Sequence, residues 1–154
     1  MKVFNDRQEI QAAAGTRLGH SEWLEIAQDR IDLFADATGD RQWIHVDPER
    51  AADGPFGRTV AHGYLTLSML PFLGAQVFAF AGDVARVNYG LNTVRFINPV
   101  REGDRVRDVV DLLTVEDIAK GQRATMRHTV EIKGVKKPAC VAETVVLLME
   151  GDSL

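Results

Sequence analysis

The segment Ala37-Thr38-Gly39-Asp40-Arg41-Gln42-Trp43-Ile44-His45-Val46-Asp47-Pro48 sets a carboxylate and an imidazole five residues apart in irregular, polar chain. Outside a continuous helix, that spacing lets Asp40 and His45 hold one water molecule between them. A histidine titrates near neutral pH, and a neighbouring carboxylate raises its basicity and fixes its tautomer. The pair therefore has the two protonation roles needed to add water to, or remove it from, an activated acyl group. The same spacing also fits a purely structural pair, with Asp40 capping backbone amides after a helix and His45 packed beside Trp43.

A second constellation is His62-Gly63, where the loop from Pro55 to Ala61 turns into a long apolar segment. A glycine N–H at a helix entry is unobstructed and sits at the positive end of the helix dipole, so Gly63 suits polarisation of a carbonyl oxygen. A tight loop-to-helix junction would equally call for glycine. His62 fits a structural role better than a catalytic one. The four histidines His20, His45, His62 and His128 lack the close His/Cys/carboxylate spacing of a metal site, and no glycine-rich phosphate loop or nucleophile elbow is present. No metal and no separate cofactor is expected.

The elements that must position these groups follow from pattern and punctuation. Asp6 to Ala14 reads as a short helix ended by Gly15, and Trp23 to Ile26 as a short strand. A second helix carries Ile31, Leu33, Phe34 and Ala37 and stops at Gly39, which leaves Asp40 just past its end. Pro48 to Ala52 predicts one helical turn, with proline at a first helical position. His62 to about Phe80 is apolar all round, as a helix buried within a sheet would be, and Pro71 predicts a kink. Strands follow over Arg86–Ile97, Arg105–Val115, Arg123–Ile132 and Ala139–Met149, with turns at Asn98-Pro99, Glu102-Gly103-Asp104, Lys120-Gly121 and Lys133-Gly134. Short links between consecutive strands imply antiparallel pairing. The fold class is α+β, a strongly curved antiparallel sheet wrapping a long central helix.

With 154 residues, 45% hydrophobic and 26% charged, the chain can bury one sizeable core, so a single domain over 1–154 is expected. A formal net charge of -4 with scattered Lys and Arg argues against nucleic acid as a partner. Lys133, Lys136 and Lys137 read as a solvated strand end. The apolar stretch from Leu65 to Ala81 is interrupted by Thr66, Ser68, Pro71, Gly74 and Gln76, short of a membrane span. Cys140, the single cysteine, stands among small apolar residues of a strand and behaves as a small hydrophobe, and the N-terminal residues lack a secretory apolar core. A reducing cytoplasm is the expected compartment.

Gly39-Asp40, Ile44-His45 and the later His62-Gly63 match in order and spacing the signature of a known group. Over most of its length the chain resembles the MaoC-like dehydratase and (R)-specific enoyl-CoA hydratase family, whose members adopt the hot-dog fold. The form Gln42 to Pro48, with Asn88-Tyr89-Gly90-Leu91-Asn92 on the first long strand, looks like its NodN-like branch. The resemblance implies that Asp40 and His45 activate the water that adds to the 3-carbon of a trans-2-enoyl thioester and return a proton to the 2-carbon. It implies that Gly63 N–H holds the thioester oxygen, with His62 and Tyr64 beside it. Asn88, Tyr89 and Asn92 would line the pocket or orient the dyad, or else satisfy an irregularity of the sheet. The substrate would be an acyl-CoA or acyl-carrier thioester of fatty acyl metabolism, with coenzyme A part of the substrate, and the working unit a homodimer. Gln42 and Trp43 occupy places the family commonly fills with Asn-Pro, and Pro71 stands for a helix serine of some members. Two other readings stay open: a hot-dog acyl-CoA thioesterase, which would use similar carbonyl polarisation, and, on those departures, a non-catalytic acyl-thioester binding protein.

Overall fold

Asp6 opens the first helix because its Oδ1 accepts the N–H groups of Gln8 and Glu9, each at 2.8 Å, which a helix start otherwise leaves unpaired. In chain order the computed structural model contains β1 (Lys2–Phe4), α1 (Arg7–Ala12), β2 (Thr16–His20), β3 (Leu24–Glu25), α2 (Gln28–Thr38), α3 (Trp43–Val46) and α4 (Pro48–Ala52). After these come α5 (Gly63–Ser68), α6 (Leu70–Gly74), β4 (Phe78–Phe80), β5 (Val84–Phe96), β6 (Arg105–Ile118), β7 (Gly121–Ile132) and β8 (Cys140–Glu150). The structure describes residues 1–150; the last part of the unit expected over 1–154, residues 151–154, lies outside the described residues.

The long strands form a six-stranded sheet in the order β2-β6-β7-β8-β5, with β3 on the remaining length of β6. The hairpins β6–β7 and β7–β8 are antiparallel, as their short turns predict. The pairing of consecutive strands fails once, because β5 joins β8 and not β6. Between β5 and β6 the chain runs past the helices, where Val100 C=O accepts from Ala61 N–H at 2.7 Å and Arg101 bridges to Val60. That detour carries the chain to the far side of the β7–β8 hairpin. Strands β1 and β4 form a small parallel pair that periodicity did not reveal, since each has only three residues.

The central apolar helix is shorter than expected and broken. It ends at Gly74 and not near Phe80, and Phe78–Phe80 is the strand β4. Pro71 has no N–H to return to Leu67 C=O, and the break between α5 and α6 falls at Met69, two residues before it. Both segments still fill the concave face. Leu65, Leu70 and Leu73 pack with Ile31 of α2 against Val106, Val130, Ile132 and Ala142 of the sheet. Cys140 is buried in the same cluster, where burial pushes its thiol up to about 11. The other face is charged in register: Arg17 pairs with Asp111 at 2.8 Å, Asp111 stands opposite Arg127, and Arg127 pairs with Glu143 at 2.9 Å. Alternation along β6 and β7 therefore puts mostly aliphatic side chains toward the helices and ion pairs toward water.

Gly121 shows how tightly the β7 start is held. Its φ is +146°, and a Cβ there would lie 2.0 Å from the Leu148 carbonyl oxygen, whereas a Cβ on Gly90 would meet nothing within 4 Å. Gly121→Ala is expected to destabilise the fold by about 3 kcal/mol or more, and Gly90→Ala by less than about 0.5 kcal/mol. Urea unfolding of the two variants beside the parent chain measures both.

Candidate active site

Gly39 ends α2 in the left-handed region, φ 77°, with its N–H on Ala35 C=O at 2.8 Å. Nothing lies within 4 Å of a Cβ built there, so backbone conformation and not space calls for glycine. The reversal leaves Asp40 exposed at the head of a loop, where Gln42 Nε2 donates to its Oδ1 at 3.3 Å. Three residues on, the expected irregular stretch closes into the single turn α3, which turns His45 inward to 7% exposure.

The backbone of Val60 holds that turn from both sides. Val60 N–H donates to Ile44 C=O at 2.9 Å, and His45 Nδ1 lies 2.6 Å from Val60 C=O. A carbonyl only accepts, so Nδ1 carries the proton and Nε2 of the neutral ring is left as the base. The tautomer is thus set by a carbonyl, a correction to the expectation that Asp40 sets it. The basicity also runs opposite to expectation. Burial lowers the His45 pKa and wins over the raising effects of the Val60 hydrogen bond and the Asp40 charge, with the His62 ring lowering it further.

His62, 3% exposed, donates from Nε2 to Asp40 C=O at 2.8 Å and stacks on His45 with ring centroids 3.7 Å apart and planes at 24°. It thereby ties the aspartate loop to the entry of α5. Its Nδ1 is buried with no hydrogen-bond partner. Asp40, His45 and His62 offer ligand atoms all within 4.8 Å of one another, a cluster that spacing along the chain did not suggest. The stacked rings direct their lone pairs in nearly parallel planes, a poor approach to one tetrahedral ion, and His45 Nδ1 and His62 Nε2 are already engaged.

Gly63 follows His62 as the first residue of α5. A Cβ there would come within 3.0 Å of the Phe96 ring, so a side chain at this position would require the ring on β5 to shift. Its N–H has no partner among the described residues. The dyad, the second histidine and this N–H are therefore contributed by one continuous stretch of loop and helix, from the end of α2 to the start of α5.

The remaining expected residues lie elsewhere. Tyr64 is 70% exposed, with its ring edge-on to Phe96 at 5.9 Å. Asn88 and Tyr89 line a cavity between α5–α6 and the sheet, together with Ser68, Pro71 and His128; Asn92 is not among its lining residues. The β5 register slips between Asn88 and Gly90 and again between Leu91 and Thr93, so Tyr89 and Asn92 are the residues left without a partner on β8. Sequence reasoning missed Gln28 and Thr59. Gln28 Nε2 donates to His45 C=O at 2.7 Å, and Thr59 Oγ1 donates to Gln28 Oε1. An ordinary glutamine opening a helix carries no signal of that support.

Comparison with known proteins agrees with this architecture. Residues 9–135 match the model of the MaoC like domain family. The 3-hydroxyacyl-thioester dehydratase Z of Mycobacterium tuberculosis is 53% identical over 147 residues, 95% of this chain and 97% of that protein. Nodulation protein N of Rhizobium leguminosarum bv. viciae is 41% identical over 143 residues, 91% and 89% of the two chains. Among solved structures, unliganded R-hydratase PhaJ1 from Pseudomonas aeruginosa superposes with a TM-score of 0.72 at 28% identity, covering 89% of this chain and 82% of its own. The (R)-hydratase from A. caviae involved in PHA biosynthesis gives 0.72 at 26% identity, covering 88% and 96%. The fold is the hot-dog fold of these hydratases, and the chain belongs to the MaoC-like dehydratase family.

Proposed function

We propose that this protein is an (R)-specific enoyl-thioester hydratase, equally a 3-hydroxyacyl-thioester dehydratase. The observation that carries the reading is His45: a buried neutral imidazole, its Nδ1 occupied by Val60 C=O, with Asp40 within reach and the free Gly63 N–H next along the chain from His62. In the hydration direction, water held between Asp40 and His45 adds its oxygen to the 3-carbon of a trans-2-enoyl thioester and gives a proton to the pair. Gly63 N–H stabilises the enolate oxygen as it forms, and the pair returns a proton to the 2-carbon. Dehydration is the reverse. No redox partner enters the balance, so coenzyme A or a carrier is needed only as part of the substrate. The thioesterase reading would send the same water to the thioester carbon and release free thiol; the (R)-hydratases among the solved relatives favour addition to the double bond.

The working unit we infer is one MaoC-like domain paired with a second copy through β5. That strand is the open edge of the sheet, thirteen residues long, and it exposes Val87, Tyr89, Leu91 and Phe96. An edge of that length and polarity is normally covered. The compartment we infer is the cytoplasm, in keeping with one buried free thiol and no described helix long and apolar enough to cross a membrane.

Crotonyl-CoA and longer enoyl-CoAs test the reading through loss of the enoyl-thioester absorbance and chiral analysis of the product. Asp40→Asn, at an exposed position, should lower kcat by roughly 10²–10⁴-fold with an unchanged melting temperature, as should His45→Gln with some loss of stability. Release of thiol with the double bond intact would instead support the thioesterase. The rate should also hold down to a pH below the ordinary imidazole value of 6.5 before falling, because burial lowers the His45 pKa and only the neutral ring is a base. An acid limb centred above that value would contradict the assignment of His45.

A further inference from the structure

Two titratable side chains stand on the concave, largely apolar face of the sheet. Inward residues run Val106, Asp108, Val110 and Leu112 along β6, and Ala124, Met126, His128, Val130 and Ile132 along β7, all of them buried. In each row one titratable residue stands where an aliphatic one would avoid a heavy desolvation penalty. The two meet, with His128 Nδ1 2.7 Å from Asp108 Oδ2, the aspartate fully buried and the histidine 5% exposed.

Nδ1–H is donated to Asp108, and in the tautomer protonated only at Nδ1 the Nε2 atom carries a lone pair. Nε2 has no partner among the described residues. The ring lines a cavity of about 560 Å³ between α5–α6 and the sheet. Thr144 of β8 lines the same cavity, and its Oγ1 is buried without a partner. It stands in register with Met126, one inward position along β7 from His128. His128 and Thr144, diagonal neighbours across β7 and β8, thus border one cavity whose other walls include Leu67, Leu70, Pro71 and Phe78.

The place of this pair relative to the reaction follows from the helices. A Cβ on Gly74 would lie 3.8 Å from His128 Cε1, so His128 sits beside the end of α6, while Gly63 starts α5. At 1.5 Å per residue those glycines are roughly 16 Å apart along the helices. A thioester carbonyl at Gly63 N–H with its chain laid along α5 and α6 brings the far end of the chain to His128.

We propose that this cavity is the tail end of the acyl site, and that His128 and Thr144 select acyl chains with a hydroxyl group near the far end. The hydroxyl donates to His128 Nε2 and accepts from Thr144 Oγ1–H. The proposal rests on the acyl-thioester reading above.

Calorimetry on the full chain tests it, with saturated ω-hydroxyacyl-CoAs and their methyl-ended counterparts of about eight to twelve carbons. At the chain length that reaches His128 the hydroxyl form should bind roughly tenfold more tightly. Thr144→Val should erase most of that preference, as should His128→Leu combined with Asp108→Leu, which leaves no unpaired buried charge. Melting temperatures of the variants report the fold separately. A merely structural Asp108–His128 pair would lower stability and leave the ratio unmoved. Equal or weaker binding of the hydroxyl form by the parent protein, as when ordered water satisfies these groups, overturns the proposal, and so does binding of neither series. Parallel enoyl-CoA turnover keeps the two readings apart. Turnover without tail preference sinks only this proposal, whereas tail preference without turnover sinks only the hydratase reading.

Discussion

The geometry of the candidate site depends on the backbone of Val60. One residue fastens the single turn α3 through its N–H and fixes the His45 tautomer through its C=O. A four-residue helix has no stability of its own, because nucleation fixes several residues for very few hydrogen bonds. The turn persists because Val60 is itself anchored by its bridge to Arg101, and because Gln28 holds His45 C=O from the side of α2. Peptide groups at both ends of this arrangement leave little rotational freedom to the imidazole. The imidazole is thus oriented in advance, with its Nε2 left free.

Around that anchor the site is a stack of rings as much as a polar pair. Phe34 of α2 lies against His62 with centroids 5.0 Å apart, and His62 lies against His45. The stack removes His45 from water and keeps it neutral, while Asp40 stays exposed on the loop side. Two groups that adjoin in space therefore sit in opposite dielectric surroundings, which is how one site keeps a neutral imidazole next to a solvated carboxylate. The His62 bond to Asp40 C=O ties the aspartate loop to the helix entry.

The sheet serves the site by its two unlike faces. Its outer ion pairs are exposed and worth little individually, but they keep that face wet and unsuited to packing against helices. Its inner face receives α5 and α6, and the break near Pro71 lets the second segment follow the curvature. The polar intrusion of Asp108 and His128 is the exception within that face, and it coincides with the cavity. The bulges of β5 carry Tyr89 and Asn92 out of register at an edge of the sheet, and Tyr89 borders the cavity there.

Much of the fold was legible in the residues themselves. Gly39 stopped α2, a short helix began at Asp6, and the β-rich runs between turn residues set the positions of the four long strands to within a few residues, because these signals are local chain physics. Gly39-Asp40, Ile44-His45 and His62-Gly63 stood out as candidates by residue type, and the structure brings Asp40, His45 and His62 together with Gly63 next along the chain. Contacts between distant residues were not legible. The crossover that pairs β5 with β8, the three-residue strands β1 and β4, and the end of the central helix at Gly74 are decided by packing, which overrides weak local preference. The same holds for the Val60 carbonyl behind His45, the Gln28 and Thr59 support, and the meeting of Asp108 with His128. Sequence alone determined which groups can take and give a proton and roughly which elements carry them. Only the tertiary structure decided their protonation and their partners, because those depend on burial and on backbone groups brought in from far along the chain.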